Sequence, residues 1–159
     1  VAVLKKVKGS GGIADKKKKK KVTSDDGEKF SLPTERSVPA DDIGAYTWLI
    51  FGEKKIGKTT LSALFGKAVH LFTEPGGRAL RVYPVVIDSW RKFKKAVKAL
   101  TKDDTFDTVI VDIVDKLYPM CEDYTCEKLV ITDLADEEWG KGWRENRKEF
   151  ERTFDMLLN

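Results

Sequence analysis

A chain of 159 residues suits a single domain, and its 41% hydrophobic content is enough to give that domain a core, while 35% charged residues imply a well-solvated surface. No apolar run approaches the roughly 18 residues of a membrane-spanning helix, and Val1–Leu4 is too short an apolar stretch for a secretory signal, so a cytoplasmic protein with no membrane partner is expected. Two cysteines, Cys121 and Cys126, and one histidine, His70, are too few for a Cys/His zinc site, and the thiols are expected to be reduced.

The net charge of +4 is unevenly spread. Residues 1–40 combine Gly9, Gly11, Gly12, six consecutive lysines at Lys16–Lys21, Pro33 and Pro39 with apolar residues of no regular period, which predicts a flexible or loosely docked basic leader. The lysine run repels itself and stays solvated. It reads as a solubilising tail, as a non-specific attractor of nucleic acid through counterion release, or as a nuclear-targeting segment.

From Ala45 the pattern is α/β. Tyr46–Phe51 is a short apolar run, expected to be a strand buried on both faces. A helix is expected after Gly57, with Leu61, Leu64, Phe65 and Ala68 at helical spacing. Val69–Phe72 reads as a second buried strand, ended by the turn signal Glu74-Pro75-Gly76-Gly77, and Ala79–Ile87 as a strand or hairpin. Ser89 is placed to cap a helix running to about Leu100, with Trp90, Phe93, Val97 and Leu100 on one face. Thr108–Ile113 is a third strand. Asp115–Lys128 reads as a helix with Pro119 near its first turn, and Thr132–Lys141 as a loop. A last helix starts near Gly142, with Trp143, Arg147, Phe150, Phe154 and Leu157 on one face.

The chemistry concentrates at Gly52-Glu53-Lys54-Lys55-Ile56-Gly57-Lys58-Thr59, followed by Thr60, which fits the P-loop pattern at every fixed position. The two glycines let the backbone curl so that several N–H groups face one point, and the helix N-terminus adds its partial positive charge. Lys58 is expected to reach the β- and γ-phosphates of ATP, and the Thr59 hydroxyl to ligate Mg2+. Asp112, ending the apolar strand Thr108–Val111, supplies the carboxylate such a metal site needs. Asp115, three residues on, either lies near the site or caps a helix. Glu74, at the end of the second strand, is placed to orient an attacking water, or is merely a turn carboxylate beside Pro75. Asp133, Gly140, Gly142 and Trp143 suggest either a mobile loop near nucleotide or DNA, or a helix start. Trp139 and Trp143 are candidates for stacking on bases, whereas Trp90 lies on an apolar face that favours the core.

The strand leading into Gly52–Thr60, "TEPGG" at Thr73–Gly77, "VIVDIVDKLY" at Val109–Tyr118 and "WGKGW" at Trp139–Trp143 together resemble the phage-type nucleotide-binding AAA proteins, RecA-like P-loop ATPases of phages and prophages, some of them single-strand annealing recombinases. The resemblance covers about Thr47–Leu158. It implies a three-layer α/β/α P-loop fold with a mostly parallel sheet, ATP and Mg2+ as cofactors, Lys58 and Thr59 as P-loop residues, Asp112 on the metal side and Glu74 as the catalytic glutamate. It also implies work on single-stranded DNA beside a single-strand DNA-binding protein, and a homo-oligomer. The six-lysine leader is not part of the family pattern. A RecA-like sheet places a further strand between the P-loop strand and the Asp112 strand, later in sequence and carrying a sensor residue. No segment after Asp112 supplies it, so a partial domain over 41–159, or an unusually small relative, is expected. Two other functions fit a P-loop. A small-molecule or nucleotide kinase would use Arg144 and Arg147 as lid arginines. A nucleotide-dependent DNA-binding module would turn nothing over.

Overall fold

The structure, a computed structural model, describes residues 2–5, 37–38 and 46–158. Five strands form one sheet: β1 (Ala2–Lys5), β2 (Trp48–Leu49), β3 (Ala68–Phe72), β4 (Tyr83–Val86) and β5 (Thr108–Asp112). Their order across the sheet is β2-β1-β5-β3-β4. β3 is parallel to β4 and to β5, with Phe72 opposite Asp112, while β1 is antiparallel to both β5 and β2. All but β1 therefore run in one direction. Parallel strands need both faces covered, and β3 and β5 are buried along their whole length.

The two faces are covered unequally. Val69, Leu71, Val109 and Val111 point into the main core, which is closed by α2 (Trp90–Leu100), α3 (Leu117–Leu129) and α4 (Lys141–Leu158). Helix α2 presents Trp90, Phe93, Val97 and Leu100 inward, as their spacing predicts. Trp90 stacks on Phe150 at 5.4 Å between ring centroids, and Phe93 and Phe150 both meet Phe154. Such pairs contribute about 0.5–1.5 kcal/mol each beyond simple burial. The opposite face carries Ala68 and Ile110, against which Ile50 and Phe65 pack; Phe65 lies just past the short helix α1 (Lys58–Ser62). The fold is an α/β P-loop architecture with a mostly parallel sheet, and its thinner layer is the one beside the P-loop.

Four expectations change. Trp48 and Leu49 are exposed at a sheet edge rather than buried on both faces, because α1 and the turn after it cover little of that side. The inner stripe of α4 is Gly142, Asn146, Glu149, Thr153 and Leu157, with Phe150 and Phe154 beside it, whereas Trp143 and Arg147 face outward. Ser89 occupies the N-cap of α2, but its hydroxyl donates to Asp88 and accepts no N–H of the helix. The position between the P-loop strand and the Asp112 strand is filled, in antiparallel register, by Ala2–Lys5, four residues that the sequence assigns to the leader. The lysine run Lys16–Lys21 lies outside the described residues.

Candidate functional site

Ligands of parallel α/β sheets bind beyond the carboxyl ends of the strands, and the sequence-predicted residues gather there. β2 leads into the loop 50–57, and α1 starts at Lys58. The loop passes through positive φ at Gly52, Lys55 and Gly57. A positive φ at a lysine is uncommon and is a feature of functional turns. The curl returns the Lys58 ammonium onto its own loop, where Nζ donates to the carbonyls of Gly52 at 2.8 Å and Glu53 at 2.7 Å. Lys58 is thus held over the loop's concave side by two neutral acceptors, which a phosphate anion outcompetes.

One residue on, the Thr59 hydroxyl donates to Asp112 Oδ2 at 2.6 Å. This contact joins α1 to the end of β5 and brings together the two oxygen ligands the sequence assigns to a metal. Asp112 is buried. A hydroxyl and one carboxylate are the hard oxygen donors that Mg2+ takes when substrate phosphates and water complete its shell. The described residues hold no cluster of three or more His, Cys, Asp or Glu that would form an all-protein cage. The hydroxyl and carboxylate therefore fit a nucleotide-bound Mg2+.

Glu74 is two residues past the end of β3, on the strand next to Asp112. Thr73 fixes that exit: its N–H donates to the Asp112 carbonyl, its hydroxyl donates to the Ile113 carbonyl at 2.8 Å, and it accepts from the Ile113 N–H. Glu74 itself is exposed and pairs with Lys116 at 3.5 Å. Beyond it, the turn folds back over Phe72. A Cβ on Gly77, at φ +72°, would sit 2.5 Å from the Phe72 ring, so only glycine fits. The "TEPGG" stretch thus combines a carboxylate at the strand end with the tight turn that aims it.

Beneath α1 lies a residue to which the sequence pattern gives no role. His70 is fully buried on the same sheet face as Ile110, 3.4 Å from the Ser62 hydroxyl and stacked on Phe72. Its Nδ1 has no hydrogen-bond partner among the described residues. Burial pushes its pKa below 6.5, against the backbone at Ala68 and the charge of Asp112, which both act to raise it. Thr73 and Lys116 lie inside the "TEPGG" and "VIVDIVDKLY" stretches, but the sequence gives neither of them a role.

The remaining candidates lie elsewhere. Asp133 caps a 3-10 turn, Leu134–Asp136, in a reciprocal capping box with Asp136, so this stretch is a helix-start device. Gly142 packs so closely on that turn that a Cβ would meet the Leu134 carbonyl at 2.3 Å. Trp90 is core, Trp143 is half exposed and Trp139 is 88% exposed. Arg144 donates to the Trp139 carbonyl and Arg147 to Glu151, so both arginines are engaged on α4 and its approach. Asp115 is exposed in the 3-10 turn Val114–Lys116. Burial pushes the Cys121 thiol up to about 12, and no disulfide forms with Cys126.

A family model described as an AAA domain matches residues 45–159. The SPbeta prophage-derived uncharacterized protein YorG of Bacillus subtilis (strain 168) is 32% identical over 129 residues, covering 77% of this chain and 40% of YorG. The chain therefore spans less than half the length of that relative. No solved structure matches.

Proposed function

The chain belongs to the AAA domain family, and from that premise we propose that it binds ATP with Mg2+ at Gly52–Thr60 and hydrolyses the γ-phosphate in reactions on single-stranded DNA. The observation that carries this reading is the linked pair of contacts at the loop: Lys58 over the Gly52 and Glu53 carbonyls, and Thr59 against Asp112. Lys58 exchanges two neutral carbonyls for phosphate oxygens. The backbone N–H groups of the loop and of the α1 N-terminus hold the remaining phosphate charge. Thr59 and Asp112 would hold the metal, directly or through water. When bound, Mg2+ would supply positive charge to neutralise the phosphates as negative charge develops on them. Glu74 then accepts the proton of, or orients, the attacking water, and Lys116 holds its carboxylate at the strand end until nucleotide is in place.

The single-stranded DNA partner, a single-strand DNA-binding protein beside it, and a homo-oligomer that completes the site between neighbours rest on the RecA-like resemblance. The prophage origin of a relative supports a phage setting. A small-molecule or nucleotide kinase is the second reading; its lid arginines, Arg144 and Arg147, here bond to the Trp139 carbonyl and to Glu151.

Phosphate release from Mg·ATP, measured with and without single-stranded DNA, tests the reading. Release is expected from the wild type, increased by DNA, and abolished in Glu74→Gln with nucleotide affinity retained. Binding without turnover would reduce the protein to a nucleotide-dependent module, and release that requires a small phosphoryl acceptor would make it a kinase.

A further inference from the structure

On the outer side of the helical layer, α2 and α4 with Tyr124 of α3 enclose a groove of about 330 Å³. Five of its lining residues are cations: Arg91, Lys94, Lys95, Lys98 and Arg152. It opens on the helical face of the sheet, whereas the P-loop helix packs on the other face. Nothing in the nucleotide chemistry uses it.

The groove is built rather than incidental. Helix α2 has five basic residues, no acid in its first turn, and Arg91 and Lys92 at its start. Positive side chains there oppose the helix dipole and cost a few tenths of a kcal/mol each, so helix stability does not explain them. Glu149, only 5% exposed, binds Lys94 and Arg152 together and also accepts from the Trp90 indole. Lys94 and Arg91 both lie over the Tyr124 ring, at 4.7 and 5.4 Å. Two carboxylates, Glu149 and Glu127, therefore hold three of the cations in place. Lys95 and Lys98 are exposed and have no carboxylate partner among the described residues. The groove keeps a positive excess, bounded at its Arg91 end by Asp88, Asp123 and Glu127.

We propose that this groove binds the phosphodiester backbone of a single nucleic-acid strand, running along α2 from Arg91 past Lys95 to Lys98 with Arg152 on the facing helix. The choice of nucleic acid rests on the reading of the protein as acting on single-stranded DNA; the demand for a polyanion does not. At about 1.5 Å rise per residue, Arg91 to Lys98 covers roughly 10 Å. The i, i+4, i+7 spacing sets Arg91, Lys95 and Lys98 along one face of α2, a line of cations for successive phosphates of one strand. The two guanidinium groups offer planar forks suited to phosphate oxygens. Because the cations are already ordered by Glu149 and Tyr124, little side-chain freedom is lost on binding.

The full chain is incubated with a short thymidine oligonucleotide at low salt, and its lysines are acetylated and mapped by mass spectrometry. Lys95 and Lys98 are expected to be protected, while Lys128 and Lys148, exposed on α3 and α4, stay reactive. Site mapping separates the groove from any binding to the lysine run Lys16–Lys21. The double variant Lys95→Glu, Lys98→Glu should bind at least tenfold more weakly at low salt. Its slope of log affinity against log salt should be shallower by about 1.4, at roughly 0.7 per single-strand phosphate contact. Its Mg·ATP affinity and thermal unfolding should match the wild type, which separates loss of contact from loss of fold. Oligonucleotide binding that leaves Lys95 and Lys98 as reactive as the controls overturns the groove while leaving a DNA-directed ATPase intact. Protection by polyglutamate but not by the oligonucleotide overturns the choice of nucleic acid.

Discussion

His70 behaves differently from a solvated imidazole. It is the chain's one histidine, and it sits under α1 with Nε2 facing Ser62 and Nδ1 without a hydrogen-bond partner among the described residues. Burial is the largest influence on its pKa and lowers it from 6.5. Between that lowered value and 6.5 the unfolded chain binds more protons than the folded one. Stability is therefore full above pH 6.5, falls as pH drops through 6.5, and stops falling below the folded-state pKa. Within that window the loss approaches about 1.4 kcal/mol per pH unit for one proton. Urea unfolding of the wild type and His70→Gln at a series of pH values checks this. The wild type should lose stability as pH falls through 6.5 relative to the variant, whose side chain does not titrate. Superimposable profiles would mean that His70 is not buried neutral. The P-loop residues are legible from sequence because their pattern is local: Gly52, Gly57, Lys58 and Thr59 are fixed by spacing alone. His70, Thr73 and Lys116 are not, because their roles come from neighbours brought in from other elements.

At the scale of elements, the helix α2 and the strands β3 and β5 can be read from the sequence because burial there follows the element's own period. Two elements cannot. The 46–51 segment reads as doubly buried, but its burial depends on what covers the sheet edge, and Trp48 and Leu49 are exposed. The stripe on α4 escapes the hydrophobic pattern because Asn146, Glu149 and Thr153 are polar yet buried: Asn146 accepts from Thr125, Glu149 takes Lys94 and Arg152, and Thr153 donates back to the Glu149 carbonyl. A hydrophobic pattern cannot register a polar core. The start of α4 reads as either a mobile loop or a helix start, and Gly142 decides between them. Replacing a helical glycine by alanine ordinarily stabilises by up to about 1 kcal/mol. Here the new methyl would meet the Leu134 carbonyl at 2.3 Å, and the backbone shift needed costs more, about 1–3 kcal/mol. Gly142→Ala should lower the denaturation midpoint and leave Mg·ATP affinity as it was. Unchanged stability with lost nucleotide binding would place the stretch at the site.

At the scale of the whole molecule, the sheet joins both halves of the site. α1 and β5 meet through Thr59 and Asp112, and β3 meets β5 through Thr73 and Ile113. The mostly parallel order follows from the alternation of strand and helix signals. Ala2–Lys5 cannot be placed in the sheet from sequence, since four apolar-leaning residues before a glycine- and lysine-rich segment carry no periodicity. A ligand that binds only the folded site stabilises the entire chain by RT ln(1 + [L]/Kd). Unfolding free energy measured against Mg·ATP concentration therefore tests the central claim, that the loop at 52–60 and Asp112 form one nucleotide–metal site. Above saturation the wild type should gain about 1.4 kcal/mol for each tenfold rise in Mg·ATP. Lys58→Ala should show no gain until the nucleotide is about ten- to a hundredfold more concentrated, the loss of a hydrogen bond to a charged group. Asp112→Asn should respond to ATP alone but lose the increment that Mg2+ adds. Equal stabilisation of the wild type and Lys58→Ala at every Mg·ATP concentration would contradict the account.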